Sequence, residues 1–260
     1  MKSIKHTWLI TGAASGIGRE LANQLARKGE RLVLWDRDAE NLERAASLLG
    51  PAVRHAHTVD IVSSEATREA AQRSVDAAGP ITRAIHCAGI LRVGSALTMS
   101  ATDYRAMMEV NFLGTVHVAR ALVPVLIDAG KRMGGSKLVF ISSIAGLRGI
   151  PTLAGYSASK YAVIGFAQAL RDELYDEPLD IRVVCPPPVD TPMVNNLPEI
   201  PAVYRLSPPQ PVDLVAGRLL ESLERDEWIA TLDAPTKILW RMQRALPSGL
   251  DWALRKASRR

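Results

Sequence analysis

Two residues that could move a proton together, Tyr156 and Lys160, stand four positions apart within a segment of helical pattern at 155–175. On a helix this spacing puts both side chains on one face, with roughly 5 to 6 Å between their Cβ atoms. A tyrosine phenol has a pKa near ~10, and a neighbouring ammonium group stabilises the phenolate and lowers that value. The pair is therefore a candidate general acid/base, although an ordinary surface pair would show the same spacing.

Two further motifs accompany this pair. Ser143 follows an apolar run of the type that forms a buried strand. Near the amino terminus, Gly12, Gly16 and Gly18 follow the pattern G-x-x-x-G-x-G, which differs from the commoner G-x-G-x-x-G dinucleotide fingerprint. Together, in this order, the three motifs resemble the short-chain dehydrogenase/reductase family, and the resemblance extends from about residue 5 to about residue 230.

Short apolar runs alternate with helical patterns along the whole chain. Strands are predicted at 7–11, 31–35, 53–59, 81–87, 137–141, 181–185 and 228–231, and helices at 16–28, 39–49, 63–78, 101–128, 155–175 and 212–223. Such alternation predicts a parallel sheet with helices on both faces, a three-layer α/β/α fold of Rossmann type with seven strands. The resemblance implies the doubly wound strand order 3-2-1-4-5-6-7, with ligands at the carboxyl ends of the strands.

Length and composition favour one enzyme domain. A chain of 260 residues that is 47% hydrophobic can bury a large core, and it shows no run of 18 apolar residues that would predict a membrane-spanning helix. The first apolar stretch runs into the glycine motif and is therefore interpreted as a strand, not as a signal peptide. In the strand order given above, one strand separates the two strands that end at Cys87 and Cys185, so these cysteines should lie about 9 to 10 Å apart, beyond disulfide reach. Two unpaired cysteines fit a reducing compartment, so we expect a cytoplasmic location. We predict neither a metal site nor a nucleic-acid partner.

The glycine loop is the predicted site of a dinucleotide. Glycines let the backbone approach a pyrophosphate, whose charge lies against the free N–H groups of the following helix. Asp36, at the end of the second strand, can bind ribose hydroxyls and repel a 2′-phosphate, which favours NAD over NADP; Arg37 beside it could instead accommodate that phosphate. A plain turn or cap residue is the alternative for Asp36. The resemblance adds the remaining cofactor-binding residues, which are Ser15, Ile17, Asp60, Ile61, Ala88, Gly89, Tyr156, Lys160, Val189 and Thr191.

The resemblance also implies a catalytic set of four residues. Tyr156 would exchange the hydroxyl proton, Ser143 would hydrogen-bond the substrate oxygen, and Lys160 would hold the ribose. Asn111 would hold a water that links Lys160 to solvent. Asn111 and Gly114 both weaken the helix predicted around them, which suggests a local break there. A solvent-facing asparagine would fit the spacing equally well.

Three positions depart from the family pattern. Pro187 stands where the family has the glycine of a Pro-Gly pair after the sixth strand. Proline fixes φ and removes a backbone donor, so the contacts of that loop with the cofactor must differ. His86 and Cys87 stand where asparagines are usual, and we expect His86 to have no catalytic role.

A long connection at 187–211 predicts a lid over the substrate. Its apolar members, and those expected on the opposite wall, predict a mostly apolar substrate: Met193, Val194, Leu197, Ile200, Val203, Tyr204 and Leu206, facing Leu91, Leu147, Ile150 and Leu153. The predicted function is an NAD(P)-dependent oxidoreductase that interconverts a secondary alcohol and a ketone. Two alternatives stay open, an NADP-dependent 3-oxoacyl-thioester reductase and a non-catalytic dinucleotide-binding protein.

Domain boundaries follow from the charge. Residues 235–260 carry seven basic side chains and one acid, whereas the rest of the chain has 25 basic and 26 acidic groups. We therefore divide the chain into a catalytic domain, 1–234, and a basic helical extension, 235–260. The apolar stripe of its first helix should pack on the body or on a neighbouring subunit, or lie on an anionic membrane surface, while Trp240 should share the opposite face. The stripe consists of Ile238, Leu239, Met242, Ala245 and Leu246.

Subunit association is predicted from one helix. The segment 155–175 is apolar around much of its circumference, and a helix covered on one side only should show a clearer polar face. We therefore expect a homodimer or homotetramer in which a partner subunit covers this helix.

Overall fold

Seven parallel strands form a single sheet in this structure, a computed structural model that describes residues 6–198, 200–201, 204, 207–245 and 248. The strands are β1 (Thr7–Thr11), β2 (Arg31–Asp36), β3 (Val53–Thr58), β4 (Arg83–His86), β5 (Ser136–Ile141), β6 (Leu179–Cys185) and β7 (Ile229–Thr231). Their order is β3-β2-β1-β4-β5-β6-β7, and every neighbouring pair is parallel. The predicted sheet and its doubly wound order are confirmed.

Helices cover both faces of the sheet. They are α1 (Gly16–Arg27), α2 (Ala39–Leu49), α3 (Ser64–Ala78), α4 (Ala101–Met107), α5 (Gly114–Met133), α6 (Ala154–Glu173), α7 (Pro192–Asn195), α8 (Val212–Ser222) and α9 (Ala234–Ala245). Short 3-10 turns lie at Gly50–Ala52 and Ile144–Gly146. Helices α1, α2 and α8 pack on one face, and α3, α5 and α6 on the other, which confirms the three-layer architecture.

Two apolar cores result from the alternation of side chains along each strand. Leu9 and Val33 belong to the core beneath α3, α5 and α6, whereas their neighbours Ile10 and Leu34 belong to the core beneath α1, α2 and α8. All five residues of β1 are buried, as expected for a central strand of a parallel sheet with both faces covered. Because apolar cores cover both faces of the sheet, polar side chains that act on a ligand are expected at its carboxyl edge.

The helix predicted at 101–128 is interrupted. It consists of α4, a π turn at Met108–Leu113, and α5. Taken as one rod, Ala101–Met133 is long and apolar enough by length and composition to cross a membrane, which the sequence did not predict. Core helices meet the same criterion, and Val118 and Leu122 of this rod are fully buried against the sheet.

Of the alternatives for the apolar stripe of the tail helix, α9, packing on the body of this chain is wrong. Ile238 and Met242, two members of the stripe, have side chains that are 58% and 40% exposed. Trp240, expected on the outer face, packs against the core. The larger ring buries more apolar area and sets the rotation of the helix, and Thr236, buried in the first turn, lies on the same side. Leu246 and residues 249–260 of the extension lie outside the described residues.

Candidate active site

A cleft of about 290 Å³ lies at the carboxyl ends of β1, β2 and β4, where the strand order reverses. Most of the predicted cofactor-binding residues line it, namely Gly12, Ser15, Gly16, Ile17, Gly18, Asp36, Arg37, Asp60, Ile61, Ala88, Gly89 and Thr191. A second cavity of about 90 Å³ is lined by the remaining ones, Tyr156, Lys160 and Val189, and by Ser143. Ile17, Cys87, Gly89, Thr191 and Met193 belong to both walls, so the two cavities adjoin.

The glycine loop is built for close approach. Gly12 has a φ of +68°, and a Cβ there would lie 2.9 Å from the Ala88 backbone nitrogen. A Cβ on Gly18 would lie 2.2 Å from the Gly12 carbonyl oxygen, so any larger residue would push the loop and α1 apart. The first turn of α1 has no acidic residue, and the Ser15 side chain does not cap it. Its N–H groups therefore suit a negatively charged group at the cleft.

Asp36 holds the glycine loop and also faces the cleft. Its Oδ2 accepts a hydrogen bond from the Ala14 N–H at 2.9 Å, and its Oδ1 accepts one from the Asp38 N–H at 3.0 Å. Each carboxylate oxygen has a second lone pair, so both can still accept a hydroxyl donor. The structural and the ligand-binding interpretations of Asp36 are therefore compatible.

Asn111 lies in the π turn and is 1% exposed, which excludes the solvent-facing alternative. Its Oδ1 accepts from the Ile90 N–H at 2.7 Å, while its Nδ2 donates to the Ile90 carbonyl and to Ser159 Oγ, both at 2.9 Å. This one side chain thus joins the loop after β4 to α6. It also lies beside the cavity, because a Cβ on Gly89 would come within 3.0 Å of Asn111 Oδ1 and 3.5 Å of Lys160 Nζ.

Ser143, Tyr156 and Lys160 meet in the second cavity. Ser143 begins the 3-10 turn after β5, and its Oγ accepts from the Ala145 N–H at 3.1 Å. Tyr156 and Lys160 lie in the first two turns of α6, with Nζ 5.8 Å from the centre of the tyrosine ring, as their spacing predicts. Nζ is buried and donates to the Ile141 carbonyl at 2.9 Å.

Burial controls the protonation of this set. It raises the pKa of Tyr156, and the phenol of Tyr204 raises it further, while hydrogen bonding to Ser143 acts in the opposite direction. Burial lowers the pKa of Lys160 to about 8, against a smaller raising effect of Cys87 and Cys185. The predicted lowering of the tyrosine pKa by Lys160 is not found. In this geometry desolvation of the phenolate is the largest effect, so Tyr156 carries its proton at neutral pH.

Apolar side chains form most of the second cavity. Its wall includes Leu91, Ile144, Ile150, Leu153, Met193, Val194 and Tyr204. Among the described lining residues, Lys160 is the one with a charged side chain. Leu147 does not line the cavity, contrary to prediction, because it packs into the core beneath α6. Of the other predicted lid residues, Leu197 packs against a small cluster formed by Leu91, Ala145, Ile150 and Leu153, and Ile200 is 66% exposed. Val203 and Leu206 lie outside the described residues.

The proline-rich loop after β6 is held by its carbonyl groups. The Pro186 carbonyl accepts from the Ile144 N–H at 3.0 Å, and the Pro188 carbonyl accepts from the Gln210 N–H at 2.9 Å. Val189 pairs with Gln210 in an isolated parallel bridge. Besides these carbonyl acceptors, which proline retains, the loop uses the Asp190 N–H, which donates to the Gln210 carbonyl at 2.8 Å. The donor missing at Pro187 is not required for any of these contacts.

His86 takes no part in either cavity wall. It is 3% exposed and hydrogen-bonds Thr11 Oγ1 at 2.7 Å and Thr115 Oγ1 at 3.0 Å. Burial, with a smaller contribution from Lys160, lowers its pKa to about 3. Its position agrees with the expected structural role.

Cys87 and Ile90 are two of the lining residues that were not assigned from the sequence. Cys87 lines both cavities directly after β4, and Ile90 offers both its backbone groups to Asn111. The position of Cys87 at the carboxyl end of a central strand was the signal that could have identified it. Ile90 had no such signal, because its role rests on backbone groups.

Residues 6–201 match a family model described as short chain dehydrogenase. The chain belongs to this family. It is 36% identical over 195 residues to 1-deoxy-11-beta-hydroxypentalenate dehydrogenase of Streptomyces avermitilis, which covers 74% of this chain and 71% of that protein. It is also 32% identical over 195 residues to the 3-oxoacyl-(acyl-carrier-protein) reductase FabG of Thermotoga maritima, covering 74% of this chain and 77% of that protein.

A solved structure agrees over almost the whole chain. The short chain dehydrogenase from Burkholderia cenocepacia J2315, in complex with NADP, superposes with a TM-score of 0.83 at 28% identity, covering 98% of this chain and 99% of that chain. The predicted family is confirmed, and this short-chain dehydrogenase/reductase is a nucleotide-binding oxidoreductase with a Rossmann fold.

Proposed function

We propose that this protein interconverts a secondary alcohol and a ketone on a mostly apolar substrate, with NAD as the favoured cofactor. The observation that carries the proposal is the meeting of Ser143, Tyr156 and Lys160 in an apolar cavity that adjoins the glycine-loop cleft. An alcohol carbon beside Tyr156 would then lie next to the space that suits a dinucleotide.

The residues of the cleft fit a nicotinamide dinucleotide. The cleft lined by Gly12, Gly16 and Gly18 would hold a pyrophosphate at the start of α1, and Asp36 would offer acceptors to ribose hydroxyls. When bound, this cofactor supplies the acceptor or donor of a hydride. The protein supplies binding, orientation and the proton.

Proton transfer falls to Tyr156. In oxidation its phenolate would accept the hydroxyl proton of the substrate, and in reduction its phenol would return a proton to the carbonyl oxygen. Ser143, which hydrogen-bonds the phenol, would donate to the same oxygen. Lys160 would hold the ribose, and Asn111 would position the loop at Ile90 against α6, because both its amide hydrogens are already donated within the protein.

Cofactor preference rests on Asp36. A carboxylate at this edge of the cleft repels a 2′-phosphate, which supports NAD, although Arg37 lies beside it and the Burkholderia cenocepacia relative was solved with NADP. The apolar cavity wall supports a substrate without a charged group near the reacting carbon. We also propose that the protein forms a homodimer or homotetramer in which a partner subunit covers α6. Tyr161 of that helix, which is 44% exposed, supports this arrangement.

A substrate and cofactor panel tests the function. Purified protein would be assayed by absorbance at 340 nm with aliphatic, terpenoid and steroid alcohols and ketones, each with NAD(H) and NADP(H). We expect Tyr156→Phe to lower kcat by about 10² to 10⁴-fold while the Kd for cofactor stays within about twofold. Tyr175→Phe, a change at an 84% exposed tyrosine, is the control. Substantial turnover by Tyr156→Phe would contradict the mechanism.

The same panel separates the alternatives. A 3-oxoacyl thioester reduced with NADPH faster than every free ketone would favour the thioester reductase, an activity that the FabG relative carries in its name and that the basic tail would suit. Cofactor binding without turnover of any substrate would favour a non-catalytic binding protein.

A further inference from the structure

Helix α9 presents apolar side chains to solvent while its other side is fixed to the body. Ile238 and Met242 stand four residues apart on its outer stripe and are 58% and 40% exposed. Arg241 lies between them in sequence and is also exposed. The outer face thus combines apolar and basic side chains, the pattern of a helix that lies at a membrane interface.

Contacts along the inner side fix this orientation. The Asp233 carboxylate accepts from the Thr236 N–H at 2.8 Å, and Lys237 Nζ lies 3.2 Å from a Glu227 oxygen. Trp240 packs on the core, and the Arg244 guanidinium stacks over its ring at 5.3 Å. Because Trp240 is partly buried against the core, a rotation of α9 that hid Ile238 and Met242 would expose the larger ring.

Both ends of α9 are connected to the active site. At its start, Gln210 Nε2 donates to Asp233 at 2.6 Å, and the backbone of Gln210 hydrogen-bonds the loop at Pro188 and Asp190. Towards its end, Gln243 accepts a hydrogen bond from Arg148, which follows the 3-10 turn of Ser143. Helix α9 is therefore linked by hydrogen bonds to the loop after β6 and to the segment after the 3-10 turn, and both of these segments contribute residues to the wall of the second cavity.

Charge decides between two possible occupants of this face. Residues 235–260 carry seven basic groups and one acid, whereas the remainder of the chain is nearly neutral with 25 basic and 26 acidic groups. A second copy meeting this face about a twofold axis would bring two strongly basic segments together. An anionic lipid surface would instead gain attraction from every basic side chain near it.

We propose that α9 docks the protein on an anionic membrane surface, with Ile238 and Met242 among the acyl chains and Arg241 at the headgroups. Because α9 is linked to two segments that line the apolar cavity, docking would bring this cavity close to the membrane, and a lipid-dissolved alcohol or ketone would reach Tyr156 from there. Docking itself does not depend on the proposed reaction, whereas this delivery of substrate does.

Vesicle flotation with the full chain tests the docking. We expect binding to vesicles of phosphatidylcholine with 30% phosphatidylglycerol at low salt, and much weaker binding to pure phosphatidylcholine or at high salt. The double variant Ile238→Glu/Met242→Glu should abolish binding. Its matched control, Leu48→Glu/Leu97→Glu, changes two side chains that are 71% and 95% exposed elsewhere, and it should bind like the wild type.

Two charge-reversal variants test how much a basic side chain of α9 contributes to membrane binding. Arg241→Glu should weaken binding to anionic vesicles by at least about fivefold, since each basic group near the surface contributes on the order of 1 kcal/mol. Arg225→Glu, an exposed arginine outside α9, should weaken it less. Melting temperatures and cofactor Kd confirm that the variants are folded, and neither readout depends on turnover.

Three outcomes would overturn the proposal. They are absence of flotation with anionic vesicles, flotation that Ile238→Glu/Met242→Glu leaves unchanged, and a fall in oligomer mass by light scattering in that variant without any loss of flotation. The last result would assign the face to a second copy of the chain. Loss of docking with full turnover of soluble substrates would leave the proposed function intact.

Discussion

Tyr156 is held protonated by its surroundings. Burial and the neighbouring Tyr204 raise its pKa, and the hydrogen bond to Ser143 offsets only part of that rise. Lys160 donates one N–H to the Ile141 carbonyl, and burial lowers its pKa to about 8. At neutral pH the pair is therefore a proton donor beside an ammonium ion, which is the state that ketone reduction needs.

This protonation state predicts opposite pH profiles for the two directions. Between pH 6 and 7.5, kcat/KM for alcohol oxidation should rise about tenfold per pH unit, because the required phenolate of Tyr156 is a minor species there. Ketone reduction should be nearly flat over the same range, since the phenol predominates. Initial rates with saturating cofactor measure both profiles. A flat oxidation profile would show that Tyr156 is already ionised.

Asp36 gives a prediction for cofactor choice. Asp36→Ala should raise the ratio of kcat/KM with NADP to that with NAD by at least about tenfold, because it removes the repulsion of the 2′-phosphate. Asp36→Asn keeps an acceptor for the Ala14 N–H while it removes the charge, so it separates repulsion from support of the glycine loop. A wild-type enzyme that already prefers NADP would contradict the assignment.

The π turn shows how an element can be shaped by one side chain. Asn111 satisfies both backbone groups of Ile90 and reaches Ser159, although asparagine and the nearby Gly114 are poor helix formers. Gly114 also makes room for a neighbour, since a Cβ there would lie 2.7 Å from Ile61 Cδ1 and would require that side chain to shift. The irregular turn therefore places a polar residue between two walls of the site.

Asn111→Ala should destabilise the protein by about 1 to 3 kcal/mol, because it leaves the partly buried backbone groups of Ile90 without their partner. Asn23→Ala, which removes one hydrogen bond to Glu20 on the surface of α1, should change stability by less than about 0.5 kcal/mol. Urea unfolding followed by fluorescence measures both. Equal effects of the two changes would argue against the bridging role of Asn111.

Elements whose pattern is local could be predicted from the sequence, and those oriented by distant contacts could not. The apolar runs of the strands and the spacing of Tyr156 and Lys160 are local, so the strand positions and the shared face of α6 could be predicted from them. The strand order is not local, and it was predicted from the resemblance alone. The rotation of α9 depends on whether Trp240 or Ile238 faces the core, which periodicity cannot decide. The prediction that Leu147 lines the substrate cavity was wrong for the same reason, since its neighbours in the core come from other elements.

At the scale of the whole molecule, the sheet buries polar groups as well as apolar ones. His86 lies inside, between Thr11 of β1 and Thr115 of α5, with its ring edge-on to Phe140 at 6.4 Å between centroids. Its pKa of about 3 means that the folded protein keeps it neutral where the unfolded chain, with an ordinary value of 6.5, binds a proton. The stability of the entire fold is thereby linked to pH.

The sign of this linkage predicts acid sensitivity. Between pH 6.5 and about 3 the unfolded state holds one more proton at His86, so the free energy of unfolding falls by about 1.4 kcal/mol for each pH unit lost. His86→Asn removes this contribution while it keeps a polar side chain near Thr11 and Thr115. Between pH 6.5 and 4.5, the free energy of unfolding of this variant should therefore fall by about 2 to 3 kcal/mol less than that of the wild type. Urea unfolding at several pH values decides the matter, because parallel curves for the two proteins would show that His86 is already protonated in the folded state.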